Sequence, residues 1–296
     1  MNIVITGAES FIGRELRRQL VDRRIGWKGF DMLASGAPEC VKVDIRSKLV
    51  DEHIPEGADA IVHLAAISRD QDCRRDPAQA FDINVGGTLN LVRAAKARGV
   101  KQFIFASSEW VYGEVENGGT QKEDSVIDAG RIISEYALTK LAGERLLSMA
   151  HSQGSCPVTL LRFGIVYGPR PANWSAVEML FNAVRSQDEV EVKGSLQTAR
   201  RFIHVSDIAA GIIKALGRTS LETFNLSGDR LVTLQEIIQT SALLLSRKPN
   251  VVERQPQAVS IRNPDNTKAR QILGWRPAVE LKEGLSSLLP AATGNP

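Results

Sequence analysis

"MNIVITGAESFIGRELRRQL", residues 1–20, is the stretch that decides the fold. Residues 2–6 form a short, largely β-branched run ending in Thr6. Gly7, Ser10 and Gly13 follow, and a charged and apolar stretch of helical character begins at once. A strand that breaks into closely spaced small residues and then a helix has the geometry of a dinucleotide site. Glycines let the backbone turn tightly and come near a pyrophosphate. The helix N-terminus then offers free N–H groups and a partial positive charge to it. Phe11 and Ile12 lie in the same turn as candidate cofactor contacts. Ser10 fits its position if its φ is negative, and its hydroxyl is a further candidate phosphate donor. The same pattern also suits a plain strand–helix turn, so the rest of the chain has to decide.

The chain has 296 residues, 43% hydrophobic and 24% charged, which is the composition of a globular protein with one large α/β unit or two closely packed lobes. Its net charge of +3 is too small an excess to argue for nucleic acid or an anionic membrane as a partner. The densest basic stretch, Arg14 to Arg24, also carries Glu15 and Asp22 and reads as a solvated helix face. Cys40, Cys73 and Cys156 are odd in number without CxxC spacing, so reduced thiols in a cytoplasmic protein are expected. The four histidines show no ligand spacing, and no metal site is expected. No apolar run approaches the roughly 20 residues of a membrane span. A strand starting at Asn2 is expected to leave no room for a signal peptide.

Short apolar runs alternate with longer helical patterns. Candidate strands cover 2–6, 27–31, 41–43, 60–63, 102–106 and 158–163. Several are continuous Val/Ile/Leu/Phe runs, as in strands buried on both faces of a parallel sheet. One helix is expected from Asp76-Pro77 to about Arg98, with Asp at the N-cap and Pro in the first turn. A second is expected from about 133 to 150. Thr233 and Glu236 have capping-box spacing, and Asp265 is a candidate cap for the helix that follows it. This alternation predicts a doubly wound α/β fold. After Arg170 the strands become shorter and more scattered. The expected division is a dinucleotide-binding domain over 1–170, with segments of about 201–228 interleaved, and a smaller lobe over 171–296.

Further pieces converge on the glycine turn. The second strand ends in Asp31, where an acidic side chain accepts hydrogen bonds from the adenosine ribose. Its charge repels a 2′-phosphate and no arginine follows immediately, which argues for NAD over NADP. "VDIR" places Asp44 and Ile45 after the third strand, and "HLAA" ends the fourth strand with Leu64, Ala65 and Ala66. Ser68 lies just beyond. "ASSEWVYG" ends the fifth strand with Ala106, Ser107 and Ser108. "YALTK" then puts Tyr136 and Lys140 four apart on one helix face. A tyrosine phenol titrates near 10 and needs help to exchange a proton near neutrality. A lysine cation beside it, together with a positive nicotinamide ring, is expected to lower that pKa.

These segments, with "TGAESFIG", "NVGGTLNLVRAA", "LRFGIVYGPR", "RRFIHVSDIAAGI" and "LGWRP", resemble the extended short-chain dehydrogenase/reductase superfamily, in its nucleotide-sugar epimerase/dehydratase group. The resemblance covers nearly the whole chain. It implies a Rossmann-type doubly wound parallel sheet holding NAD, a smaller α/β C-terminal lobe holding substrate, and a homodimer through the helices 76–98 and 133–150. It implies Tyr136 as catalytic acid/base, Lys140 on the nicotinamide ribose, and Ser108 on the substrate hydroxyl or ketone. Ser108 fills this place because it begins Ser-x-x-Val-Tyr-Gly.

The chain departs from the group at three points. Sugar dehydratases carry Asp-Glu after the catalytic Ser/Thr, whereas Glu109 and Trp110 stand here; the missing second carboxylate disfavours dehydration. The frequent Asn before Val-Tyr-Gly is Ile165. An arginine often found in the C-terminal lobe falls at Gln255, with Arg254 adjacent. Glu109, Arg200 and Arg254 are the expected substrate contacts, Arg201 being an alternative to Arg200. The leading expectation is an NAD-dependent nucleotide-sugar epimerase working through a keto-sugar. An NAD-dependent sugar dehydrogenase or nucleotide-4-keto-sugar reductase uses the same residues, and a non-catalytic cofactor-sensing protein is a third possibility.

Overall fold

The computed structural model describes residues 1–33, 36–113, 115 and 118–289. Its centre is a seven-stranded parallel sheet. From one edge to the other its strands are Glu222–Leu226, Val158–Phe163, Phe103–Ser108, Ala60–His63, Asn2–Thr6, Gly26–Asp31 and Cys40–Lys42. The first strand sits inside the sheet, so the chain moves outward from it in both directions. The crevice where this direction reverses lies at the C-terminal ends of the strands, where ligands of such sheets bind.

The sheet is buried on both faces because its strands alternate apolar side chains up and down. Ile3 and Ile5 join one core with Leu16, Leu20, Ile208, Phe224 and Trp275. Val4 joins the other with Phe30, Leu91, Phe103 and Phe105. Helix Phe11–Asp22 covers the first face, and its basic residues are neutralised locally: Arg18 pairs with Glu15 and Asp22, Arg17 with Glu9. On the second face Pro77–Phe81, a π-helical turn at Asp82–Gly86 and Gly87–Ala97 form one continuous rod. Asp76 caps it by accepting the Gln79 N–H at 2.9 Å, as the sequence predicts.

Some expectations need adjustment. The helix that carries Tyr136 and Lys140 runs Glu135–Ser152, starting later than residue 133, because the Ser134 hydroxyl caps it by accepting the Ala137 N–H. The seventh strand, Glu222–Leu226, has five residues and is not among the candidate strands, though it falls in the 201–228 stretch expected to interleave with the first unit. It forms the edge of the sheet beside Val158–Phe163. Trp275 also returns to this first core, its indole N–H donating to the Asp207 carbonyl at 3.0 Å. Conversely, Thr120–Gln121 crosses out of the expected 1–170 unit and pairs with Ile261–Pro264, in a four-stranded sheet with Ala199–Arg200 and Val232–Thr233. Helices Ala176–Ser186, Leu234–Leu245 and Leu281–Ser286 contribute a third core around Phe181, Ile237 and Leu285. Residues 290–296 of the expected lobe lie outside the described residues. Among the described residues, no helix is long and apolar enough to cross a membrane.

Candidate active site

The opening turn is built as a cradle. Gly7 has φ +72, a conformation that suits glycine, and a Cβ there would lie 2.7 Å from the Ala65 nitrogen. A Cβ at Gly13 would lie 2.3 Å from the Gly7 carbonyl oxygen, so only glycine lets the helix pack this closely on the strand. Ser10 has φ −65, and its hydroxyl accepts the Gly13 N–H at 3.1 Å as the helix cap. The hydroxyl proton still has a donor's role to fill.

A cavity of about 1020 Å³ opens over this turn. Gly7, Ser10, Phe11 and Ile12 line one end with Asp31. Asp44, Ile45, Leu64, Ala65, Ala66, Ser68 and Ala106 line it further along, and Ser108, Tyr136 and Lys140 line the other part. The fold therefore gathers almost the whole expected cofactor set with the expected catalytic trio. Asp31 is oriented by two backbone donors: Oδ2 accepts the Glu9 N–H at 2.8 Å and Oδ1 the Leu33 N–H at 3.0 Å. A carboxylate has about four acceptor sites, so capacity remains for ribose hydroxyls. Gly13 does not line the cavity; it acts through packing beneath the turn.

Asp44 lines the cavity with a partner that the sequence reading passed over. Arg46 donates to its Oδ2 at 2.6 Å and also pairs with Asp82, and the guanidinium holds the Asp44 carboxyl below its usual range. His63 is a structural residue. It is 1% exposed, held between Thr6 at 2.7 Å and Thr88 at 2.9 Å, and burial with the Lys140 charge pushes its pKa down to about 3.

The Lys140 ammonium lies 4.8 Å from the centre of the Phe105 ring and 5.7 Å from that of Tyr136. Burial lowers its pKa to about 8, against the opposing influence of Cys73 and Glu144. The expectation that Lys140 lowers the Tyr136 pKa is not met by the protein alone. Desolvation raises the phenol above its usual range, Cys73 adds to this, and only the hydrogen bond with Ser108 opposes it. The physical reason is the deep burial of the phenol, which penalises its charged form.

Three expected substrate contacts lie off the cavity wall. Glu109 is 1% exposed and lies inside the short helical turn Glu109–Tyr112, with neither carboxylate oxygen hydrogen-bonded. Burial raises its pKa to about 7, against the charges of Arg262 and Arg200. Arg200 spends its guanidinium on the Ser260 carbonyl at 2.5 Å and the Ser260 hydroxyl at 2.9 Å. Arg254 is exposed and pairs with Glu191 at 2.8 Å across neighbouring strands. Arg201 donates to Asn263 at 2.6 Å.

Residues not singled out by sequence also shape the site. Asn84, buried in the π-helical turn, accepts the Ile67 N–H at 2.8 Å and donates to Thr139 on helix Glu135–Ser152 at 3.0 Å. Its signal was the "NVGGT" segment, whose role needs the three-dimensional contact. Arg170 lines the cavity beside Phe11, with its guanidinium 4.5 Å from the Phe11 ring centre and bound to buried Glu178 at 2.8 Å. Among the described residues no group of three or more His, Cys, Asp or Glu could hold a metal ion.

The NAD dependent epimerase/dehydratase family matches residues 3–227, the span that contains the glycine turn, Asp31, Ser108, Tyr136 and Lys140. The chain belongs to this family. Among its members, the UDP-glucose 4-epimerase of Mycolicibacterium smegmatis is 30% identical, over 97% of this chain and 96% of that protein. The crystal structure of Thermus thermophilus UDP-glucose 4-epimerase in complex with NAD superposes with a TM-score of 0.84 at 27% identity, covering 97% of both chains. MoeE5 in complex with UDP-glucuronic acid and NAD superposes with a TM-score of 0.86 at 26% identity, also covering 97% of both. The family's cofactor is NAD, and the close-packed glycine cradle, the oriented Asp31 and the cavity size fit it here.

Proposed function

We infer that the protein is an NAD-dependent epimerase of nucleotide sugars, acting at C4 of a UDP-hexose. One observation carries this: Ser108, Tyr136 and Lys140 line the same cavity as the glycine turn and Asp31. A neighbour bound to UDP-glucuronic acid and NAD, and a UDP-glucose 4-epimerase bound to NAD, share the fold over nearly the full chain. Bound in the cavity, oxidised NAD supplies a positively charged ring and a place for the hydride that leaves the sugar carbon. Tyr136 takes the proton from the C4 hydroxyl and returns it to the ketone oxygen after the sugar has turned. Ser108 holds that oxygen, and Lys140 holds the nicotinamide ribose hydroxyls. Asp31 binds the adenosine ribose and disfavours a 2′-phosphate. Trp110 stands where a dehydratase needs its second carboxylate, and an indole cannot exchange the proton that water elimination requires.

Because each cycle returns the hydride, the enzyme has no reason to release its cofactor. The test is to purify the protein without added NAD, denature it and measure the NAD(H) released. Near one cofactor per chain, with turnover that needs no added NAD, supports the reading. Cofactor-free protein that consumes NAD stoichiometrically with a sugar would make it a dehydrogenase.

The assembly we propose is a homodimer. Phe81 and Leu89 on one rod, and Leu138 and Met149 on the catalytic helix, leave large apolar side chains at the surface. Pairing these helices between two copies would cover them. The cytoplasm is the proposed location, in keeping with three free cysteines.

A further inference from the structure

Two side chains of the cavity wall near Ser108 and Tyr136 have little capacity for hydrogen bonding. Trp110, two residues past Ser108, and Ile165 both line it. An indole offers one donor and no acceptor, and isoleucine offers neither. The Arg262 guanidinium lies 4.2 Å from the centre of the Trp110 ring, so the second lobe holds the indole in place.

The cations around this cavity are already committed. Among the described residues, those lining it are Arg14, Arg18, Arg46, Arg170 and Lys140. Arg14 pairs with Glu9 at 3.2 Å, Arg18 with Glu15 at 2.7 Å, Arg46 with Asp44 at 2.6 Å and Arg170 with Glu178 at 2.8 Å. Lys140 remains, assigned above to the nicotinamide ribose. The neighbouring side chain between Ser108 and Trp110 is Glu109, itself a buried carboxylate with no hydrogen-bond partner on either oxygen.

We propose that this site takes a neutral hexosyl group and rejects a hexuronosyl group, with Trp110 and Ile165 as the specificity-determining residues. The inference rests on the UDP-sugar reading above. C6 is two bonds from the reacting C4, so a sugar held at Ser108 and Tyr136 carries its C6 group against this part of the wall. A hydroxymethyl or methyl group there packs on the indole and the isoleucine. A carboxylate would lose its water, meet no cation of the cavity lining that is not already paired or assigned, with Arg262 outside that lining and stacked on the indole, and lie near a second carboxylate; burying a charge unpaired is strongly unfavourable.

The test is calorimetric titration of the NAD-loaded protein with UDP, UDP-glucose and UDP-glucuronate, with C4 epimerisation followed by NMR in the same samples. UDP-glucose should bind roughly 30-fold more tightly than UDP-glucuronate, the size expected for an unpaired buried charge. Equal or tighter binding of UDP-glucuronate overturns the proposal. In Trp110→Ser the ratio should shrink about threefold or more while UDP affinity is kept; an unchanged ratio removes Trp110 from the role. A neutral-sugar preference without epimerisation would sink the epimerase reading and leave this one standing. Failure of UDP itself to bind would bring down the nucleotide reading, and this proposal with it.

Discussion

Glu144 accepts two hydrogen bonds from Arg162, at 2.9 and 2.7 Å, one helical turn beyond Lys140. Both side chains are buried. Ser107, next to Ser108, donates to the same carboxylate at 2.5 Å. Arg162 also donates to the Tyr112 hydroxyl at 3.0 Å, and that hydroxyl donates to Asn225 on the edge strand at 2.8 Å. One network thus ties helix Glu135–Ser152 to three strands of the sheet.

Removing the carboxylate should strand a buried guanidinium. Glu144→Ala is expected to lower stability by about 3–5 kcal/mol, the usual effect of breaking a buried ion pair on one side. Urea unfolding measures it. A loss below about 1 kcal/mol would show that Arg162 finds another partner.

The same carboxylate contributes to a pH dependence. Lys140 is protonated below its pKa of about 8, so kcat/KM should fall as pH rises through 8 and the ammonium is lost. Cys73 and, after it, Glu144 hold that pKa up against burial. In Glu144→Gln the alkaline limb of the profile should therefore move to lower pH. A limb that stays in place, or moves upward, would separate it from Lys140.

Tyr136→Phe removes one oxygen. Turnover should fall by roughly 10²–10⁴-fold, the range for losing a general acid/base, with unfolding midpoint and NAD content nearly unchanged. Turnover close to that of the parent protein would assign the proton transfer to another group.

Much of this was legible in the sequence because it rests on local chemistry. The glycine turn, the first strand, the Asp76 cap and the Tyr136–Lys140 spacing are each fixed by neighbours a few residues apart. Strand Glu222–Leu226 was not legible, since its only apolar anchors, Phe224 and Leu226, gain meaning from pairing with Val158–Phe163. Arg200 and Arg254 were misplaced for a related reason. A charge run says nothing of which way an arginine turns, and here Ser260 and Glu191 capture them. The Glu144–Arg162 pair and the Arg262–Trp110 stack join residues far apart in the chain, and no spacing rule reaches them.

Asp31→Ala should weaken NAD binding by about 2 kcal/mol, the value of a hydrogen bond to a charged group. It should also narrow the preference for NAD over NADP, since a negative charge no longer faces the 2′ position. Titration of both cofactors checks this. Equal or tighter NADP binding by the unaltered protein would contradict the role given to Asp31.

The central claim is that the hydrogen taken from the sugar is returned to the same sugar. The direct measurement uses a UDP-hexose carrying deuterium at C4, with the reaction followed by NMR and mass spectrometry. The expected product is epimerised, keeps the deuterium at C4 and takes none up from deuterated solvent when the label is reversed. Loss of the label from C4, to free reduced cofactor or to water, would contradict it.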